Sequence, residues 1–184
     1  MKRDEIYKKM GFWNGFYLVI GVIGLLFSIY NIVDTFITKN TEKKLEKFGL
    51  DPAEFGTTTF DKVILVIVTI ISIYCVVMAF KNRGKIIEKL KVDVLPYILT
   101  LLLAAFNFVR GIIQQTNTKQ MPELNNEVNK AIEGVDQNAL MAGVAIGIVF
   151  VVIALILELL PSIRMLMLNS KLNKLPVEEE SFNE

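Results

Sequence analysis

Histidine is missing from all 184 residues, and cysteine occurs once, as Cys75. Without histidine the chain lacks the commonest general base and the commonest zinc ligand. A single cysteine excludes an intrachain disulfide and leaves the redox compartment unreadable. No Asn-x-Ser/Thr sequon, Walker A loop, G-x-G-x-x-G, HExxH, CxxC or G-x-S-x-G elbow occurs. Strong charge of either sign is also lacking: the formal net charge is +1, so nothing draws the chain to nucleic acid. Acid–base, nucleophilic and metal chemistry therefore lack a visible constellation. The reading is a protein that is not an enzyme and carries no cofactor. A membrane enzyme acting on lipid or peptide ranks last.

What the chain has is apolar length. Hydrophobic residues make up 53% and mean hydropathy is +0.47, high for a water-soluble domain. The excess falls in four blocks separated by polar segments, as bilayer spans do. The expected fold is all-α: one polytopic membrane domain over 1–184, a four-transmembrane-helix bundle with short extracytoplasmic amphipathic helices. The spans are expected at about 12–33, 62–80, 94–113 and 140–160. Outer loops are expected over 34–61 and 114–139, and a cytoplasmic tail over 162–184.

The first block follows a basic start, but it is too long for a signal peptide and has no small-x-small cleavage site, so it reads as a retained anchor. The second is rich in β-branched residues. Its length of about 20 apolar residues decides for a helix over a strand. Pro96 fits the first turn of the third span. Pro161 is expected to kink or break the fourth, with a more amphipathic stretch after it.

Basic residues set orientation. Lys2, Arg3, Lys8 and Lys9 precede the first span, and Lys81, Arg83, Lys85, Lys89 and Lys91 crowd the second connection. In the outer loop Lys39, Lys43, Lys44 and Lys47 are accompanied by Glu42, Glu46, Asp51 and Glu54. The expected location is the cell membrane with both termini cytoplasmic. Lys-, Asn- and Ile-rich usage fits a bacterium of AT-rich genome. Phe12, Trp13, Tyr17, Tyr30 and Tyr97 read as interfacial aromatics.

In the first outer loop, 41–48 favours a helix that Gly49 would stop. In the second, Met121, Leu124, Val128 and Ile132 recur at helical spacing. Their stripe packs on the other loop or the membrane surface, or else docks a protein partner. In the cytoplasmic connection Ile86, Ile87, Leu90 and Val94 share a face among lysines. This segment either lies on the inner leaflet, with Lys85, Lys89 and Lys91 drawing anionic lipid, or extends the third span into water.

Ionisable residues within spans are functional candidates by default. Counting at about 1.5 Å per residue puts Arg110 near the outer edge and Glu158 near the inner edge. Arg110 snorkels, or pairs with Asp34, Asp61 or Asp136. The sharper reading is an outward polar pocket of Asn31, Asp34, Asn107, Arg110 and Gln114. Glu158 is read as reaching cytoplasmic water or a cation such as Lys81 or Arg164, as an inner ion pair or gate. Asn14 and Ser72 are candidate interhelical hydrogen-bonding residues. Small-xxx-small spacing at Gly11 and Gly15, Gly24 and Ser28, and Ala139, Gly143 and Gly147 suits close packing by the first and fourth spans.

Two functions follow as expectations. The first is a non-enzymatic membrane protein acting through a membrane or extracytoplasmic partner, as an accessory subunit, regulator or immunity-type factor. The second is a small oligomeric transporter or channel.

Overall fold

A computed structural model describes residues 2–47, 49, 51, 56–119 and 137–175. Among these the chain is helical throughout, with no strand. The helices are α1 (Arg3–Val33), α2 (Asn40–Lys47), α3 (Thr59–Ile87), α4 (Leu95–Lys119) and α5 (Gln137–Asn173). Among the described residues three stretches are long and apolar enough to cross a membrane: Arg3–Thr38, Thr59–Ile87 and Val152–Asn173. The apolar part of α4, Leu95–Gly111, is shorter. It measures about 25 Å against the roughly 30 Å of a hydrocarbon core.

Each helix outruns its expected span. The first begins at Arg3, because Ile6, Tyr7 and Met10 turn inward and join the core. The start of α3 lies just before Lys62, set by a capping box. The Thr58 hydroxyl accepts the Asp61 N–H at 3.1 Å, and the Asp61 carboxylate accepts the Thr58 N–H at 3.2 Å.

The largest correction is at Pro161. The helix does not break there but runs twelve residues further, to Asn173. Pro161 and Ser162 are fully buried against neighbouring helices. Packing of this kind is what lets a transmembrane helix keep a proline. Ser162 Oγ finds no hydrogen-bond partner among the described residues.

Two turns close the helix ends. After α1 a single π turn, Asp34–Thr38, leads to Lys39 in the left-handed region at φ 52°. Helix α2 then occupies nearly the stretch that composition favoured, and Gly49 follows it at φ 74°. At the other end, α3 finishes with Lys89 left-handed at φ 56°, and the Leu90 N–H reaches the Lys85 carbonyl at 2.7 Å. That is a Schellman-type stop with lysine where glycine is usual. Residues 84–87 are thus the last turn of α3 and 88–94 the turn that follows, so the segment is not an extension of α4. Ile86 and Val92 pack into the core, while Ile87 and Leu90 face out.

Helix α1 packs on α3 and α5, and α4 packs on the same two. The buried cluster lies at one end of the molecule. Ile6, Tyr7, Met10, Ile86, Val92, Tyr97, Met165, Leu168 and Leu172 meet there from all four long helices and the α3–α4 turn. Among the described residues this end also holds twelve lysines and arginines against four carboxylates: Asp4, Glu5, Glu88 and Asp93.

Candidate functional site

At the end opposite the buried cluster, the guanidinium of Arg110 on α4 donates to the Asp61 carboxylate at the start of α3. Of the three partners expected from the sequence, this is the one it takes. Asp34 is occupied locally: it accepts from Thr38 Oγ1 at 2.9 Å, Thr41 Oγ1 at 2.8 Å and the Asn40 N–H at 3.3 Å. Asn31 and Asn107 are exposed, and the side chain of Gln114 lies outside the described residues. Among the described residues the expected outer pocket thus shows an Arg110–Asp61 pair and an Asp34-centred turn, with no hydrogen bond between the two. Asp136 and the stripe of Met121, Leu124, Val128 and Ile132 lie outside the described residues.

Asp61 both caps α3 and neutralises Arg110, so the two partners are not energetically equivalent. Arg110→Leu is expected to cost about 1 kcal/mol, since the pair is only part-buried. Asp61→Ala should cost about 2 kcal/mol, because the Thr58 N–H and hydroxyl also lose their acceptor in the capping box. Thermal unfolding of the two variants in mild detergent checks the order.

Further into the bundle lies a cavity of about 380 Å³ lined from all four long helices. Its polar lining is Tyr17 from α1, Ser72 and Cys75 from α3, Thr100 from α4 and Glu158 from α5. Apolar groups such as Ile20, Leu103 and Leu157 complete the wall. Glu158 does not pair with Lys81 or Arg164 as the sequence suggested. The guanidinium of Arg164 sits over the Trp13 ring, 5.8 Å from its centroid. Glu158 stands six residues earlier on α5, about 9 Å deeper. No described residue forms an ion pair or hydrogen bond with its carboxylate.

Beneath the cavity the helices are joined by buried polar groups. The Tyr97 hydroxyl donates to Asn14 Oδ1 at 2.6 Å and accepts from Asn82 Nδ2 at 3.2 Å. Asn14 Nδ2 donates to the Ala79 carbonyl at 3.0 Å. Asn82 clasps the chain entering α4, giving Nδ2 to the Asp93 carbonyl at 2.7 Å and taking the Asp93 N–H on Oδ1 at 3.0 Å. One layer up, Tyr17 OH lies 2.6 Å from Thr100 Oγ1. The Pro96 carbonyl accepts from Tyr17, Cys75 and Thr100. The Tyr17 and Tyr97 rings meet edge to face at 5.0 Å.

Tyr17 and Tyr97 are 4% and 0% exposed, so they are core residues and not interfacial anchors. Asn82 and Thr100 were absent from the sequence-based candidates. Asn82 hid within a basic run that read as a loop. The signal available for it was an uncharged amide one helical turn past Met78 in an otherwise charged stretch.

Among the glycines, Gly11 faces Ile86 of α3, with room for an ordinary contact. The close approach is at Gly21, where an added Cβ would come within 3.2 Å of Val76 Cγ2. Gly15 and Gly24 border open space, and Gly24 lines the cavity. Ser28 is half-buried. The surroundings of Ala139, Gly143 and Gly147 lie outside the described residues.

No group of metal-binding side chains occurs among the described residues. No family model matches the chain, and neither a curated protein nor a solved structure shows significant similarity to it.

Proposed function

We propose that the chain is an integral membrane protein of the cell membrane with four crossings, α1, α3, α4 and α5, and both termini in the cytoplasm. We propose further that it works without catalysis, through a protein partner, as an accessory subunit, regulator or immunity-type factor.

The crossing by α4 is supported by its contacts with both ends of α3. Tyr97 meets Asn82, and Arg110 meets Asp61. Those two α3 residues are 21 positions apart, about 31 Å of helix, close to the thickness of the hydrocarbon core. Helix α4 covers about 20 Å of that between Tyr97 and Arg110, and the reach of the side chains that meet at each end makes up the rest.

The observation that carries the partner reading is the locked basal half. Asn14, Asn82, Met10 and Met165 have no exposed surface, and the hydrogen bonds among α1, α3 and α4 close that end. A solute path through the bundle needs an opening there, whereas a rigid base suits a protein that presents its outer loops to another chain. Affinity capture in mild detergent should return a stoichiometric partner, lost when Leu124 and Val128 are both replaced by serine. A solitary monomer in every detergent would count heavily against this reading.

The transporter reading has one observation in its favour, the cavity with Glu158 in its wall. Flux across proteoliposomes that disappears with Glu158→Gln would favour it over the partner reading.

A further inference from the structure

The cavity pairs an apolar wall with one acidic group that nothing in the described structure neutralises. Its walls are built mainly from Ile20, Leu25, Val76, Leu103 and Leu157, with Glu158 set among them. A carboxylate in such surroundings is costly to hold ionised without a counter-charge, and intramembrane acids are kept where they meet one. Arg164, the nearest cation on the same helix, is turned onto Trp13. The basic residues at the base are separated from the cavity by the layer of Tyr17, Pro96 and Tyr97. The counter-charge is therefore absent from the described residues, and a ligand is free to supply it.

Entry is from the side. Ile23 and Phe27 on α1 and Ala154 and Leu157 on α5 line the cavity and are also exposed. That places its mouth toward lipid tails. A ligand reaching it must partition into the bilayer, so it carries an apolar body. We propose that this cavity binds a lipophilic monocation, an amine or quaternary ammonium on an aromatic or alkyl body, with Glu158 as the counter-ion and Tyr17, Ser72 and Thr100 beside it. Sites of this build, mainly apolar with a few placed polar groups, are the usual form of small-molecule pockets. The inference stands whether the protein works through a partner or as a transporter.

The test uses the full chain in nanodiscs of zwitterionic lipid, with uptake by empty discs subtracted. The probes are 4-phenylbutyl-trimethylammonium and its carbon isostere, in which a tert-butyl group replaces the trimethylammonium head. Wild type should bind the cation at least tenfold more tightly than the isostere, and Glu158→Gln should remove that preference.

A second variant acts by volume. Gly24 borders the cavity with open space beyond its Cα, so Gly24→Leu fills it while favouring the helix. This variant should lose the cation at least tenfold with the emission of Trp13, the sole tryptophan, unchanged. Equal binding of cation and isostere, full affinity in Glu158→Gln, or uptake no greater than in empty discs would each overturn the proposal. If Glu158→Gln fails to fold, the isostere comparison and Gly24→Leu still decide it.

Discussion

Asn82→Leu is expected to be among the most destabilising single changes at the polar layer, costing about 3 kcal/mol. Asn82 makes three hydrogen bonds from a fully buried position, two of them to the backbone of Asp93 where the chain turns into α4. Hydrogen bonds between membrane helices are individually modest, about 0.6 kcal/mol on average. Removing this side chain also leaves an N–H and a carbonyl of Asp93 without partners, and since both are part-buried each costs toward the low end of the about 1–3 kcal/mol of an unsatisfied buried group. Leucine keeps the branched shape but is bulkier, so no cavity forms and some overpacking at this fully buried site adds to the cost.

Tyr97→Phe should cost less, about 1 kcal/mol. Each asparagine it abandons keeps a backbone partner, Ala79 for Asn14 and Asp93 for Asn82. Trp13 sits at this end of the bundle against Arg164, so its emission during heating in mild detergent reports both variants. Asn82→Leu unfolding with wild type, or Tyr97→Phe proving the worse of the two, would show that the clasp on α4 is not what holds this end together.

The same residue shows where sequence reading stops. Hydropathy located α1 and α3 because both hold uncharged runs long enough to cross a bilayer. It does not show how far the helices run past the apolar stretches, because charged residues on one face say nothing of the other. Lys8, Lys9, Lys81 and Arg83 project from helices whose other faces are buried, so α1 extends back to Arg3 and α3 on to Ile87. The pattern was present as Ile6, Met10, Trp13 and Tyr17, spaced four, three and four apart, a helical stripe running through the basic segment.

Glu158 shows how a depth count depends on where the helix is taken to end: counted to Pro161 it is nearly cytoplasmic, whereas it stands about 22 Å from the end of α5 at Asn173. Arg110 was legible to within its choice among three aspartates. That choice was a matter of geometry, since the Thr58 capping box already fixes the Asp61 carboxylate at the first turn of α3. The cavity was not legible, because no local pattern tells which faces of four helices leave a gap between them.

Single-cysteine labelling should give an all-or-none result between the two ends of the bundle. In a Cys75→Ser background, a cysteine at Glu88 is expected to resist a membrane-impermeant maleimide in intact cells and to react after lysis. Cysteines at Glu46 and Thr118 are expected to react in intact cells. Glu88 and Glu46 are exposed, so accessibility does not confound that comparison.

The physical reason is the distribution of charge. The basal end carries twelve of the twenty lysines and arginines, densest in the turn after α3 and around the start of α1. Cytoplasmic retention follows lysine and arginine near the span ends, with acidic residues counting for little. Carrying each such charge outward against a potential of about 100 mV costs about 2.3 kcal/mol. Reaction at Thr118 is the decisive arm for α4. If a cysteine at Thr118 is protected in intact cells but reacts after lysis, while Glu46 reacts in both, α4 does not cross, three helices span, and the pairing of Arg110 with Asp61 needs another geometry. If Glu88 reacts in intact cells, the orientation is inverted, and the locked half of the bundle faces outward.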